Sequence, residues 1–443
     1  MPLEPTDRLL SELVDWLRIP SISSGGGDPA DLERAAGWAC ERIEAAGGSA
    51  QVVATAGNPL AVGELRSRRE DAPTVLIYGH YDVQSPDPVA AWTSPPFDPQ
   101  VRDGRLYARG ASDDKGNFLP LLHVACELAR SGELPVHVRV LLEGEEEIGG
   151  HHVLDWIAAD ERGADVAVVF DSGMLDDETP AITLGVRGIV QLGVDVRTAR
   201  RDLHSGSYGG AVPNAIHVLA QMLAAVLPGP DGLLRAELRE GIEPPSEAEQ
   251  QAWKALPDPG VEIASVGGRL IDEDAARNYF RHNWADASLD VNGLAGGDAD
   301  QVRTIIPATA SAKLSMRLAA GQRPERAAQV LERLLREAAH PAAEVEITLH
   351  GSGEPAAFDP TSPALQIAAS SLERAVGRAP ALIRVGGSIA ALAAFGARGI
   401  PCLLSGFALP TDDIHAPDES FQLTSLALGE KAARELYVGF AKL

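Results

Sequence analysis

The sequence predicts an α/β fold: a mostly parallel sheet covered by helices, interrupted by an inserted α+β domain. Three observations predict it. Apolar runs of strand length alternate with helical segments over residues 74–170, as parallel strands joined by helices require. From residue 189 the runs alternate apolar and polar, as in a sheet with one open face. After residue 353 the continuous apolar style returns.

The elements follow in order. Residues 9–17 are spaced as a short amphipathic helix, and 31–46 as a longer one stopped by Gly47 and Gly48. The run 74–78 (TVLIY) suits a strand buried on both faces. Residues 118–131 read as a helix stopped by Gly132, and 136–142 as a β-branched buried strand. A helix over 152–159 and a buried strand over 165–170 come next. In the insert, a strand over 189–197 precedes a helix over 214–226, a strand over 310–318, a helix over 324–340 and a strand over 344–349. Two helices and at least three alternating strands suit a ferredoxin-like plan. Residues 227–300 are rich in Pro and Gly around a few helical patches. A buried strand at 400–404 and a terminal helix over 423–440 complete the chain. The expected domains are therefore 1–186 with 354–443, and 187–353.

Composition narrows the function. The chain has 443 residues, with 38 Lys and Arg against 63 Asp and Glu, a net charge of −25. That balance argues against nucleic acid, whose phosphates need clustered cations, and against an anionic membrane surface. Cys40, Cys126 and Cys402 are widely spaced with no CxxC pair, which suits a reducing compartment. No apolar run approaches the roughly 18 residues of a membrane span. The first residues lack the basic and apolar regions of a signal peptide. A soluble cytoplasmic enzyme is expected.

No GxSxG, Walker A, HExxH or GxGxxG signature is present. What remains is His and carboxylate residues near predicted strand ends. His80 and Asp82 follow the 74–78 run, and Asp113 lies in the loop RGASDDKG. Glu143, Glu145, Glu146 and Glu147 follow 136–142 and are bracketed by glycines, which a solvated helix would avoid. Asp171 follows 165–170, and His415 lies in the loop DDIHAPDE. Taken singly, a strand-end His or Asp is more often a cap or turn residue, and a glutamate run more often a solvated face. Their joint placement outweighs those readings, because open α/β sheets hold their sites at the carboxyl ends of parallel strands. Imidazoles with carboxylates and no thiolate suit zinc, manganese or cobalt. Asp82 is spaced to accept the second ring proton of His80.

In this order and spacing, GHYDV, RGASDDKG, EGEEEIGG, VVFDSG and DDIHAPDE resemble the dinuclear metallopeptidase family. That family includes carnosinase-type dipeptidases, carboxypeptidase G, aminoacylase, acetylornithine deacetylase and succinyl-diaminopimelate desuccinylase. The resemblance covers nearly the whole chain. It implies two divalent ions per subunit, zinc first, with manganese or cobalt as alternatives. His80 and Asp171 would hold one, Glu147 and His415 the other, and Asp113 would bridge them. Glu146 would be the general base, and Asp82 would orient His80. The peptide after Asp113 would be cis. Two departures stand out: Asp418 occupies a place often filled by Asn, and Glu145 makes three glutamates where the family needs two. The family pattern sets base and ligand immediately before a small-residue turn, which selects Glu146 and Glu147.

The resemblance extends into the insert. Asp202-Leu-His204-Ser resembles the lid loop whose His reaches the tetrahedral oxyanion, often across a homodimer. Thr304 and Arg317 match lid positions that contact substrate, and a guanidinium suits the free carboxylate of a short peptide. Gly386-Gly387-Ser388 resembles a carboxylate-holding turn before a helix at 389–395, and a helix N-terminus suits an anion. The long, interrupted insert is similar to that of the carnosinase branch. The implied activity is metal-assisted hydrolysis of dipeptides or short peptides, with N-acyl-amino-acid deacylation as the alternative. A catalytically dead binding protein would lack a ligand or the base, and every such position is filled.

Overall fold

In the computed structural model, which describes residues 3–265, 267–271, 274–298 and 300–443, contacts group the chain into two units. The first is Met1–Leu184 with Phe358–Ile383 and Ile389–Leu443. The second is Gly185–Ala357 with Arg384–Ser388.

The first unit is built on a run of parallel strands. Val166–Phe170 is buried at every residue, which is why its sequence is apolar without alternation. Thr74–His80 lies between it and His137–Glu143, parallel to both. Cys402–Ser405 extends the run in parallel on the other side of Val166–Phe170. Leu60–Leu65 pairs antiparallel with His137–Glu143. The register sets His80 opposite Glu143 and Ser405 opposite Phe170. Carboxyl ends therefore fall on one edge. The first strand runs two residues beyond the expected 74–78, so His80 is its last residue rather than a loop residue.

Helices cover the sheet because each has an apolar stripe. Asp7–Leu17 buries Leu9, Leu13, Trp16 and Leu17, and the Thr6 side chain caps it at the Leu9 N–H. Pro29–Ala45 starts on the Asp28 cap with Pro29 in its first turn. Trp16 and Trp38 from these two helices stack with centroids 5.0 Å apart. Val75 and Ile77 share this core. Tyr78 packs edge-on against Phe395 of the helix Ala390–Ala397, 5.6 Å away. Lys115–Ser131 stops at Gly132, whose φ of 72° is left-handed. The bond between Asp113 and Asp114 is cis, as the family resemblance implies.

The second unit is a four-stranded antiparallel sheet in the order Ser288–Gly296, Thr309–Leu318, Gly188–Arg197, Glu344–Gly353. Helices Ala215–Ala224 and Pro324–Ala338 supply Leu219, Met222, Leu331 and Leu335 to a core with Val190, Val194, Leu314 and Met316. This is the ferredoxin-like plan. Ser288–Gly296 is the strand that the sequence hides. It is an edge strand, mostly exposed, with Gly293 just past a register shift, so neither alternation nor an apolar run marks it. Among the described residues, no helix is long and apolar enough to cross a membrane.

Candidate active site

The shared strand edge brings five of the singled-out side chains together. His80 is fully buried. Its Nδ1 lies 3.0 Å from the Asp82 main-chain oxygen and 3.4 Å from Asp82 Oδ1. The nearer acceptor is thus the carbonyl, where the sequence suggests the carboxylate. Either acceptor leaves Nε2 facing Asp113 Oδ1 at 3.0 Å and Asp171 Oδ1 at 3.9 Å. The Asp82 carboxylate has a second task. It accepts from Ser23 Oγ at 2.6 Å and from the N–H groups of Glu146 and Glu147 at 3.3 and 3.2 Å.

Asp113 presents one oxygen to each imidazole. Oδ2 lies 3.0 Å from His415 Nε2, which is 3.2 Å from Glu147 Oε2. Ligand atoms of His80, Asp113 and Asp171 lie within 4.8 Å of one another, and so do those of Asp113, Glu147 and His415. Two three-residue donor sets share one carboxylate, which is the arrangement a dinuclear centre needs.

The charge balance fits cations. Burial pushes the Asp171 carboxyl well above its ordinary range, and Asp113, Glu146 and Glu147 add to the push against the pull of His80. Asp113 and Glu147 hold the His415 imidazole up to about 10 against burial. Burial, then the Asp113, Glu147 and Asp82 carboxylates, raise Glu146 to about 7 against the pull of His80. Carboxylates crowded this closely out of water need positive charge among them.

The three glutamates separate by surroundings. The Glu145 carboxylate accepts the Asn58 N–H at 3.0 Å and meets His152 Nδ1 at 2.6 Å. Glu147 belongs to the donor set, and Gln84 Nε2 donates to its Oε2 at 2.9 Å.

His415 sits on a loop in which Asp413, His415 and Asp418 all have positive φ, at 54°, 63° and 61°. For residues other than glycine that is strained and needs fixing from outside. Two buried carboxylates fix it. Glu419 accepts from Arg109 Nη1 at 2.7 Å and from the N–H groups of Gly110, Ser112 and Asp113 at 3.0, 3.0 and 3.1 Å. Asp412 accepts from Ser112 Oγ and the Leu409 N–H, both at 2.9 Å, and from Arg105. Asp418 accepts from Thr93 N–H and Oγ1 at 2.8 and 2.7 Å. These acids all lie within DDIHAPDE, and nothing in the spelling of that motif marks their tasks.

The second unit gathers the other singled-out residues into two groups. His204 pairs with Ile305 across a short ladder, its Nδ1 accepts the Gly206 N–H at 3.1 Å, and the Thr304 carbonyl accepts the Ser205 N–H at 3.0 Å. Arg317 Nη1 donates to Ser388 Oγ at 3.2 Å, and that hydroxyl donates to the Arg187 carbonyl. The Arg187 guanidinium donates to Gly386 O, Ser288 Oγ and Asn283 Oδ1 at 3.3, 3.0 and 3.2 Å, and the Gly387 carbonyl accepts the Arg187 N–H at 3.0 Å. Burial, then the like charge of Arg317, lowers Arg187 to about 10. The acceptors of both guanidiniums are neutral carbonyl, amide and hydroxyl oxygens. Arg187 is the group that sequence reasoning misses. The turn 386–388, expected with the flanking domain, instead groups with this unit through the two arginines. The following helix starts only at Ala390.

Comparison with known proteins agrees with this geometry. The signature of Peptidase family M20/M25/M40 matches residues 76–438. A cysteinylglycine-S-conjugate dipeptidase of Corynebacterium striatum is 30% identical over 450 residues, which is 98% of this chain and 96% of that enzyme. A β-Ala-His dipeptidase of Mus musculus is 31% identical over 270 residues, 59% of this chain and 54% of its own, so that match spans about half of the mouse enzyme. An M20 family metallo-carboxypeptidase from Sulfolobus solfataricus superposes with a TM-score of 0.87 at 27% identity, covering 99% of this chain and 100% of that one. The dipeptidase Dug1p of Saccharomyces cerevisiae shares the fold, with a TM-score of 0.79 at 24% identity over 98% of this chain and 96% of that one. On these matches and on the shared-carboxylate site, the chain belongs to peptidase family M20/M25/M40.

Proposed function

We propose that the protein is a metal-dependent dipeptidase. One observation carries the reading: Asp113 offers one oxygen to each of two donor sets, His80 with Asp171 and Glu147 with His415. Imidazole and carboxylate donors without thiolate favour zinc, then manganese or cobalt. Two divalent ions held there would polarise the scissile carbonyl and lower the pKa of an attacking water. The Glu146 carboxylate accepts a proton from that water and passes it to the leaving amine. His204 donates to the developing oxyanion. Arg317 pairs with the substrate's C-terminal carboxylate, with Thr304, Gly387 and Ser388 alongside.

The dipeptidase names of the full-length and partial relatives favour a dipeptide over an N-acyl-amino acid. C-terminal trimming of longer peptides is the second reading, favoured by the likeness to the Sulfolobus carboxypeptidase. We place the enzyme in the cytoplasm, which suits three buried, unpaired cysteines. We also propose a homodimer through the edge strand Ser288–Gly296. Leu294 on that strand is 67% exposed and borders an apolar groove with Ile216, Leu219 and Leu223.

Chelated and zinc-reconstituted protein, assayed on dipeptides, longer peptides and N-acyl-amino acids, tests the reading. Hydrolysis should need metal and be fastest for dipeptides. Faster turnover of N-acyl-amino acids would replace the reading with its deacylase rival.

A further inference from the structure

The first unit contains a cavity of about 330 Å³ bordered by Asp113 and Asp171. Away from those carboxylates its walls are apolar at Met174, Ala408, Leu409, Pro410 and Ile414, with Ser112, Asn117, Ser172 and Gly173 completing them, and no lysine or arginine lines it. The walls are fixed by main chain. The Met174 N–H donates to the Ala408 carbonyl at 2.9 Å, and Gly173 and Ala408 form a parallel bridge. A Cβ on Gly173 would lie 2.4 Å from that carbonyl, and one on Gly406 would lie 1.9 Å from the Ser172 carbonyl. Asn117 ties the same two loops. Its Nδ2 donates to Ser172 O at 3.1 Å and its Oδ1 accepts the Phe407 N–H at 2.8 Å. The loops approach too closely to slide, so the cavity is formed before any ligand arrives.

We propose that this cavity is the specificity pocket for an apolar side chain on the N-terminal residue of the dipeptide. The proposal rests on the dipeptidase reading and names the substrate class. The scissile carbonyl of a substrate must lie at the donor sets, and the cavity begins at two of their members. A dipeptide has only two residues to place beside it. The C-terminal residue carries a carboxylate, which no lysine or arginine in the walls would pair. The N-terminal residue carries no such charge. Its side chain meets a thioether and aliphatic groups, the Ser112 hydroxyl and the Asn117 amide being engaged with Asp412, Ser172 and Phe407, and an anionic side chain would lose its hydration there without gaining a partner. Met174 adapts to different apolar shapes, because its unbranched side chain has three rotatable bonds.

The test is a pair of dipeptide series on zinc-loaded protein, X-Gly and Gly-X, with X as Gly, Ala, Met, Leu, Phe, Asp or Lys. In the X-Gly series, kcat/KM for Leu and Met should exceed that for Gly and Asp by about 10- to 100-fold. Dissociation constants measured by calorimetry on zinc-loaded Glu146→Gln protein should follow the same order. Met174→Ala and Ile414→Ala should each lower the Leu-Gly to Gly-Gly ratio by about tenfold. A flat X-Gly series, or a preference confined to Gly-X, overturns the pocket and leaves the dipeptidase reading standing. No hydrolysis in either series overturns the dipeptidase reading, and the pocket falls with it.

Discussion

Glu145 and Glu146 carry the same side chain one residue apart, and their surroundings separate them. Glu145 is engaged by Asn58 and His152, while Glu146 is raised to about 7 by burial and then by the carboxylates around it. Glu146→Gln should keep its metals and lose at least about 10²-fold in kcat, the scale of a lost general acid–base. Glu145→Gln should stay active. Metal analysis and kinetics on both variants decide it, and the reverse pattern would shift the register by one. Arg317→Ala should lower kcat/KM for a free dipeptide by about 10²-fold and matter far less for its C-terminal amide, which has no charge to pair. Equal losses for acid and amide would leave Arg317 a purely structural role. Glu419→Gln should weaken metal binding by about 10- to 100-fold, the usual cost of losing a group that orients a ligand. Only one Gln oxygen can accept, so some of the four N–H donors of residues 109–113 would face an NH₂ group. Metal titration by calorimetry checks it, and unchanged affinity would reduce Glu419 to a folding role. The glutamate register is read from the family pattern, which sets base and ligand just before a small-residue turn such as Gly149-Gly150, and the two variants test it. Glu419 and Arg187 are not legible in the sequence, because an acid that accepts main-chain N–H groups is spelled like a surface acid, and a buried arginine like an exposed one.

Among elements, the parallel strands are legible because burial on both faces leaves an apolar run with no alternation to misread. Ser288–Gly296 is not legible, because an edge strand gives neither signal. The second unit also hides a polar tie in its core. Arg384 Nε donates to Glu249 Oε1 at 2.8 Å, with the two side chains 8% and 6% exposed. Burial pushes the Glu249 carboxyl up, but Arg384 and Ser246 pull it below its ordinary 4.5. A carboxyl whose folded pKa is depressed adds stability that is present above the unfolded value and lost as pH falls through the folded one. Arg384→Ala strands a buried carboxylate and should cost about 3–5 kcal/mol at pH 7. Near pH 4 the stranded group takes up a proton, so the deficit should shrink. Calorimetry of both proteins at the two pH values reads the difference, and equal deficits would mean that the pair matters only for packing.

For the whole molecule, the lid-loop resemblance implies that in the proposed dimer each site would take its oxyanion donor from His204 of the partner subunit, and a mixing experiment tests it. Glu146→Gln and His204→Ala proteins, each inactive alone, should regain part of the activity when mixed, because some mixed dimers hold one intact site. If the subunits exchange and no activity returns, His204 acts within its own chain. The change in hydropathy style near residues 187 and 353 predicts a change of unit there, and contacts group Gly185–Ala357 with Arg384–Ser388. The return of residues 384–388 to the second unit is not legible in the sequence, because hydrogen bonds from Arg187 and Arg317 set it and no pattern marks them. That return limits how the enzyme can be recombined. A lid transplanted as residues 185–357 alone would arrive without Ser388 and the 386–387 main chain, and its two guanidiniums would lose these acceptors. Exchange of substrate-reading parts between relatives must therefore carry two segments together, the long insert and a five-residue patch from elsewhere in the chain.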